Sequence, residues 1–360
     1  DVDKAGLAKL VASKPKAFIV FELLQNAWDQ NVTRVDVTLE PVGGSRTAQV
    51  TVVDDDPDGF ADLRDAYTLF AESRKKANAE QRGRFNLGEK LVLALAKSAC
   101  LETTSGSVRF DEHGRHALRQ RRDAGSLFRA TFPATKADLE EIDLAVRRLI
   151  PPANVATTYN GRILEHRLPV AFFNEVLPTI VADGESVLRK TSRKTLVRVY
   201  QPAEGETATL YEMGIPVVET GDRFHVDVQQ KVPLNMDRDN VTPAYLRTIR
   251  VAVLNATHHL IDKEDAPQTW VREACSDERV QPEAVKTTLT LRFGENAVSY
   301  DPSDPEANKR SQAEGRPVVY GGSLSAAEWE NVRRAGALPA AGTVTPSPKP
   351  YSPDGDPLDV

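Results

Sequence analysis

From Ala17 to Gln30 the apolar residues Phe18, Phe21, Leu24, Ala27 and Trp28 recur at helical spacing, while Glu22, Asn26 and Asp29 share a second stripe. That pattern predicts a helix with one polar face. Two strand-like runs, Arg34 to Leu39 and Ala48 to Val53, flank a Gly43-Gly44 turn and predict a hairpin. The second run stops abruptly at Asp54-Asp55-Asp56-Pro57-Asp58-Gly59. Residues 61 to 82 are polar and read as a helix leading into a loop. Gly83-Arg84-Phe85-Asn86-Leu87-Gly88 then opens an apolar helix from Glu89 to Ala99, and strands are expected at Cys100 to Thr104, Ser107 to Phe110 and Ser126 to Phe132. A first domain over residues 1–135 follows.

A helix over Lys136 to Leu149 and the pair Pro151-Pro152 connect it to a second domain over 150–264. Strand-like runs there, Thr195 to Tyr200, Ala208 to Met213 and His225 to Val228, precede a helix from Pro243 to Ile261, an α+β mixture. Residues 265–340 read as irregular. Residues 341–360, rich in Pro, Gly, Ser and Thr, read as an extended or disordered tail.

Composition narrows the classes. With 40% hydrophobic residues in 360, each domain has material for a core. A formal net charge of −6 gives the whole chain no pull toward nucleic acid or anionic lipid, so such a partner needs a local patch. Arg119-Gln120-Arg121-Arg122 is the best local candidate for DNA, although such a run is commonly a solvated loop. The two cysteines, Cys100 and Cys275, indicate neither a disulfide framework nor a thiolate metal site. They fit a reducing compartment, read here as cytoplasmic. No run approaches the ~20 apolar residues of a membrane span, so no membrane insertion is expected.

Three segments carry chemistry. On the first helix Glu22 and Asn26 lie four apart and Asp29 three further on, so all three face one cleft. A carboxylate there can deprotonate a water, and an amide oxygen one turn along can complete the shell of Mg²⁺. By itself the pattern is equally that of a solvated polar face. The turn from Asp54 to Gly59 presents a carboxylate at a strand end, where a buried Asp can accept a hydrogen bond from an adenine amino group and Gly59 permits close approach. The turn at Gly83 to Gly88 feeds directly into a helix, a source of unpaired N–H groups for phosphate.

Taken in order, Phe21-Glu22 with Asn26-Ala27 and Asp29, then Asp55 with Gly59, then Gly83 to Gly88, resemble the three boxes of the GHKL superfamily, which includes gyrase B, Hsp90 chaperones, histidine kinases and MutL proteins. The resemblance covers roughly the first third of the chain. It implies a Bergerat-fold, α/β (α+β) two-layer ATPase domain followed by a transducer- or middle-like α+β domain, with ATP and Mg²⁺ as cofactors. It also implies Glu22 as general base, Asn26 as Mg²⁺ ligand and Asp55 as the adenine-reading carboxylate, with Asp29 and Gly59 beside it. Gly83, Phe85, Asn86, Leu87 and Gly88 would frame the phosphates, Lys76 would touch them from a lid, and the Gly125-Ser126 pair, similar to the family's Gly-Thr, would send the Ser126 hydroxyl toward the adenine-bound water. Two departures stand out: Pro57 occupies the place of the box's first glycine, and Asn86 that of a middle glycine.

Val232-Pro233-Leu234-Asn235-Met236-Asp237-Arg238-Asp239 is similar to the Hsp90 segment that delivers an arginine to the γ-phosphate, which would make Arg238 catalytic. Lys231, two residues after Gln229, is the alternative sensor, of the kind gyrase and MutL use. The resemblance implies an ATPase that dimerises on binding ATP, an Hsp90-like or MORC-like clamp in size and layout similar to phage or bacterial proteins of the RIIA type. Two alternatives stand beside it. One is a DNA-handling ATPase of the gyrase B, topoisomerase VI or MutL kind. The other is an assembly module that binds nucleotide without turning it over. The partner, a protein client or DNA, is open at this level.

Overall fold

The computed structural model describes residues 15–44, 46–59, 92, 95–182, 188–234 and 240–346, and falls into two compact units, Asp1–Thr242 and Pro243–Val360. The class is α+β. The first unit begins with helix α1 (Ala17–Trp28), whose residues Val20, Leu23, Leu24, Ala27 and Trp28 are buried. They pack on an eight-stranded sheet built from β1 (Arg34–Pro41), β2 (Thr47–Asp54), β3 (Ser98–Glu102), β4 (Ser107–Asp111), β5 (Gly114–Leu118), β6 (Leu127–Pro133), β7 (Ala156–Tyr159) and β8 (Arg162–Ile163). The order is β5-β4-β3-β6-β2-β1-β7-β8. Every pairing is antiparallel except β1 with β7. The inward alternation of Val35, Val37 and Leu39 with Ala48, Val50 and Val52 buries one face, and helix α2 (Lys136–Arg147) lies on that face through Ile142 and Val146. Two layers result.

Helix α2 starts on a capping box: Thr135 caps the N–H of Asp138, while Asp138 accepts from the Thr135 N–H. Lys16, at the foot of α1, donates to the same carboxylate at 2.6 Å. The Lys16 bond, ahead of the Thr135 N–H, holds the Asp138 carboxyl at about 2.

A second sheet in the same unit comprises β9 (Ala171–Ala182), β10 (Leu188–Tyr200), β11 (Thr209–Glu212), β12 (Ile215–Glu219) and β13 (His225–Val228), in the order β12-β11-β13-β10-β9. The sequence pattern shows only the second half of β10 and none of β5, β7, β8, β9 or β12. Leu188-Arg189-Lys190-Thr191-Ser192-Arg193-Lys194-Thr195 has no apolar alternation, because both of its faces meet solvent along much of its length. The end of α2 meets this sheet where Tyr211 donates its hydroxyl to the Arg148 carbonyl and Ile150 N–H to Gly214 O.

A charged clasp locks the 167–225 region. Arg167 reaches Glu206 with two bonds of 2.6 Å, and the fully buried His225 lies 3.0 Å from the same carboxylate through Nε2. The Thr209 N–H donates to His225 Nδ1, so Nε2 carries the proton. Arg167, more than burial opposes it, holds the Glu206 carboxyl far below the usual range. Glu206→Gln is expected to cost about 3 kcal/mol, since it strands the Arg167 charge. Because the folded value is depressed, the contribution is present above the unfolded glutamate pKa of about 4.3 and is lost as pH falls through the lower folded value. Urea unfolding of both proteins between pH 7 and 3 should therefore show a gap that narrows on acidification.

The second unit is helical, not irregular: α3 (Pro243–Thr257), α4 (Thr269–Cys275), α5 (Pro282–Phe293), α6 (Pro305–Ala313), α7 (Ala326–Ala335) and α8 (Ala341–Val344), with a two-stranded pair Val298–Ser299 and Val318–Val319. The helix expected at the end of the α+β domain, α3, opens this unit instead. Local signals were present: Asp304 caps α6 and Ser325 with Glu328 forms a capping box on α7. The buried Glu328 also takes Arg272 and Arg292, an arrangement that three-dimensional packing alone reveals. No helix among the described residues is long and apolar enough to cross a membrane.

Candidate nucleotide site

The acidic turn leaves β2 at one end of the first sheet, and the register Val35↔Asp54 puts it beside the loop that joins α1 to β1. Two carboxylates fasten it there. Asp55 Oδ1 accepts from the N–H groups of Thr33 at 2.8 Å and Arg34 at 3.0 Å, and its Oδ2 from the Thr33 hydroxyl. The buried Asp56 accepts from the Asn31 N–H at 3.2 Å and from Asp58 at 3.0 Å. The polar stripe of α1, with Glu22, Asn26 and Asp29 all half-buried, ends at this loop, so stripe and turn share one end of the sheet.

Here the burial differs from what the sequence leads one to expect. The carboxylate expected to be buried, Asp55, is exposed and committed to its own backbone; those bonds outweigh its partial desolvation and hold it below its ordinary value. Asp54, the last residue of β2, is the half-buried one. Its Oδ1 accepts from Ser126 N–H at 3.0 Å and Asp56 N–H at 3.1 Å, while its Oδ2 has no protein bond among the described residues. Burial raises its pKa against the pull of those two N–H groups. The signal was a three-aspartate run in which parity, not box spacing, turns Asp54 and Asp56 inward and leaves Asp55 exposed.

Gly125 and Ser126 form the opposite wall. Asp54 N–H donates to Ser126 O and Gly125 N–H to Asp56 O, at 3.0 and 2.8 Å. Gly125 has φ +72, and a Cβ on it would stand 2.0 Å from Asp54 O. Gly59, at φ +60, brings the turn against Thr104, whose hydroxyl donates to Asp58 O at 2.6 Å. Thr104 was not singled out by the sequence. Gly125→Ala should cost about 3 kcal/mol or more through strain and backbone overlap, read as a lower denaturant midpoint.

Lys76, Gly83, Phe85, Asn86, Leu87, Gly88 and Arg238 lie outside the described residues. Lys231 is buried in the loop after β13, where its carbonyl accepts from Thr179 and the adjacent Gln230 donates to Leu177 O. Arg122 is turned into its own loop, donating N–H to Thr103 O and Nε to Ala124 O.

No family model and no curated protein matches the chain. Solved structures do. The ATPase region of Saccharomyces cerevisiae topoisomerase II matches at 12% identity and TM-score 0.40, covering 61% of this chain and 75% of that one. The ATPase and transducer domains of topoisomerase II from Balamuthia mandrillaris match at 10% identity and TM-score 0.39, covering 64% and 77%. At these identities and TM-scores the likeness assigns neither family nor residue roles.

Proposed function

We propose that this chain binds and hydrolyses ATP at the end of the first sheet. The observation that carries the reading is Asp54: a half-buried carboxylate with one oxygen held by two backbone N–H groups and the other unengaged. Such an oxygen is a fitting acceptor for an exocyclic amino group, and Gly59 and Gly125 keep the surrounding backbone close. In this reading Asp54 takes the role first given to Asp55, and Asp55 holds the turn. Ser126 presents its hydroxyl to the base, and Gly83 to Gly88 with Lys76 contact phosphates.

Asn26 supplies an amide oxygen suited to Mg²⁺, which when bound offsets phosphate charge. Glu22, one turn earlier on the same half-buried stripe, accepts the proton of the attacking water, with Asp29 at the stripe's end. Arg238 or Lys231 senses the γ-phosphate, and ATP-dependent association of two copies completes an Hsp90-like clamp. Equilibrium binding of a non-hydrolysable ATP analogue, read together with molecular mass and steady-state phosphate release, tests this. Binding with doubled mass and turnover supports the clamp; binding without turnover reduces it to an assembly module; no binding removes it.

A further inference from the structure

Strands β9 and β10 make a ribbon that outruns their sheet. They pair from Ala171↔Val199 to Ala182↔Leu188, whereas β10 meets β13 only over Val197–Tyr200. Ahead of Val197, β10 has β9 as its only strand neighbour among the described residues. One face of the ribbon is closed near Leu177 and Thr179 by the loop carrying Gln230 and Lys231. The other face is open, and the register writes a pattern on it: Phe172 opposite Arg198, Val176 opposite Lys194, Ile180 opposite Lys190.

Phe172 is 71% and Val176 57% exposed, and both lysines are exposed with no ion pair among the described residues. Arg198 is steadied by Gln229 Oε1 at 3.1 Å. Arg189 and Arg193 add charge from the alternate positions of β10. The two strands hold five basic side chains and one acid, Glu175, within a chain of net charge −6; Asp183 and Glu185 belong to the connecting segment.

We infer that the β9–β10 ribbon is a binding surface for duplex nucleic acid. A two-stranded ribbon fits a major groove about 12 Å wide. Side chains four apart on a strand stand about 13 Å from one another, so Lys190, Lys194 and Arg198 are spaced to reach the phosphates on either side of such a groove. Phe172, Val176 and Ile180, set on β9 opposite the cations of β10, meet base edges and thymine methyl groups. An anionic membrane fits less well. Each of these apolar side chains stands directly opposite a cation, so inserting Val176 would drag Lys194 into hydrocarbon. The ribbon also displaces the 119–122 loop as the site of such contact, and the inference stands whether or not the nucleotide reading does.

The test is fluorescence anisotropy of a labelled duplex of about 25 base pairs, titrated with the full chain from 50 to 200 mM salt. Lys190→Ala/Lys194→Ala should weaken binding about tenfold at 50 mM salt and flatten the slope of log K against log salt by about two, at ~0.9 per lost phosphate contact. Lys190→Arg/Lys194→Arg should retain it, and Arg119→Ala/Arg121→Ala should leave it unchanged, each variant being checked by circular dichroism. Absence of duplex binding by the wild type at 50 mM salt, equal binding by the double alanine variant, or co-sedimentation with phosphatidylserine vesicles in place of duplex binding would overturn it.

Discussion

Asp54→Asn is expected to weaken binding of a non-hydrolysable ATP analogue about 100-fold while leaving the fold intact. The two backbone donors both address Oδ1, so the asparagine carbonyl takes that place and its amide NH₂ replaces Oδ2. An oxygen that accepts from the adenine amino group then becomes a donor facing a donor, and a lost charge-assisted bond with a stranded polar group is worth about 3 kcal/mol. The same change should narrow the preference for adenine over hypoxanthine, whose 6-oxo group accepts from an amide. Asp55→Asn should instead leave affinity within about threefold and cost about 1 kcal/mol of stability, because what it weakens is the anchoring of Thr33 and Arg34. Calorimetric titration of both variants with the ATP and ITP analogues decides it. Loss of binding in Asp55→Asn alone would return the base-reading role to Asp55.

Glu22→Ala should reduce steady-state turnover by about 10²–10⁴-fold, the usual worth of a positioned general base, with affinity for ATP little changed. Glu22 sits on the half-buried stripe of α1, opposite Leu23, Leu24 and Ala27, so its removal opens no cavity in the core. The melting temperature should therefore stay within a few degrees of wild type. Turnover equal to wild type in this variant would take the base role away from Glu22; a parallel collapse of binding and melting temperature would make Glu22 a structural residue.

Much of this was legible in the chain. Helix α1 and the β1–β2 hairpin could be read because each buries one face and so imposes its period on the sequence. The polar stripe and the acidic turn were legible as pieces. What the sequence left open was parity: a run of three aspartates at a strand end does not say which of them turn inward until Val53↔Leu127 and Val35↔Asp54 fix the pleat. The β9–β10 ribbon was hidden for a related reason, since a strand wet on both faces has no alternation to display. Thr104 owes its place to tertiary approach, which no local spacing encodes.

The parallel seam between β1 and β7 also sets a schedule. Thr158 donates its hydroxyl to Asp36 across that seam, 122 residues away in the chain. At roughly 5–20 residues per second, a ribosome delivers β1 about ten seconds before the strand that covers it. For that interval the Val35-to-Leu39 backbone is an open sheet edge on a nascent chain, and closing the loop is a slow, entropically costly step. The first sheet thus cannot close until residues 156–163 have been made, and its half-made form is a natural target for the cell's holding chaperones.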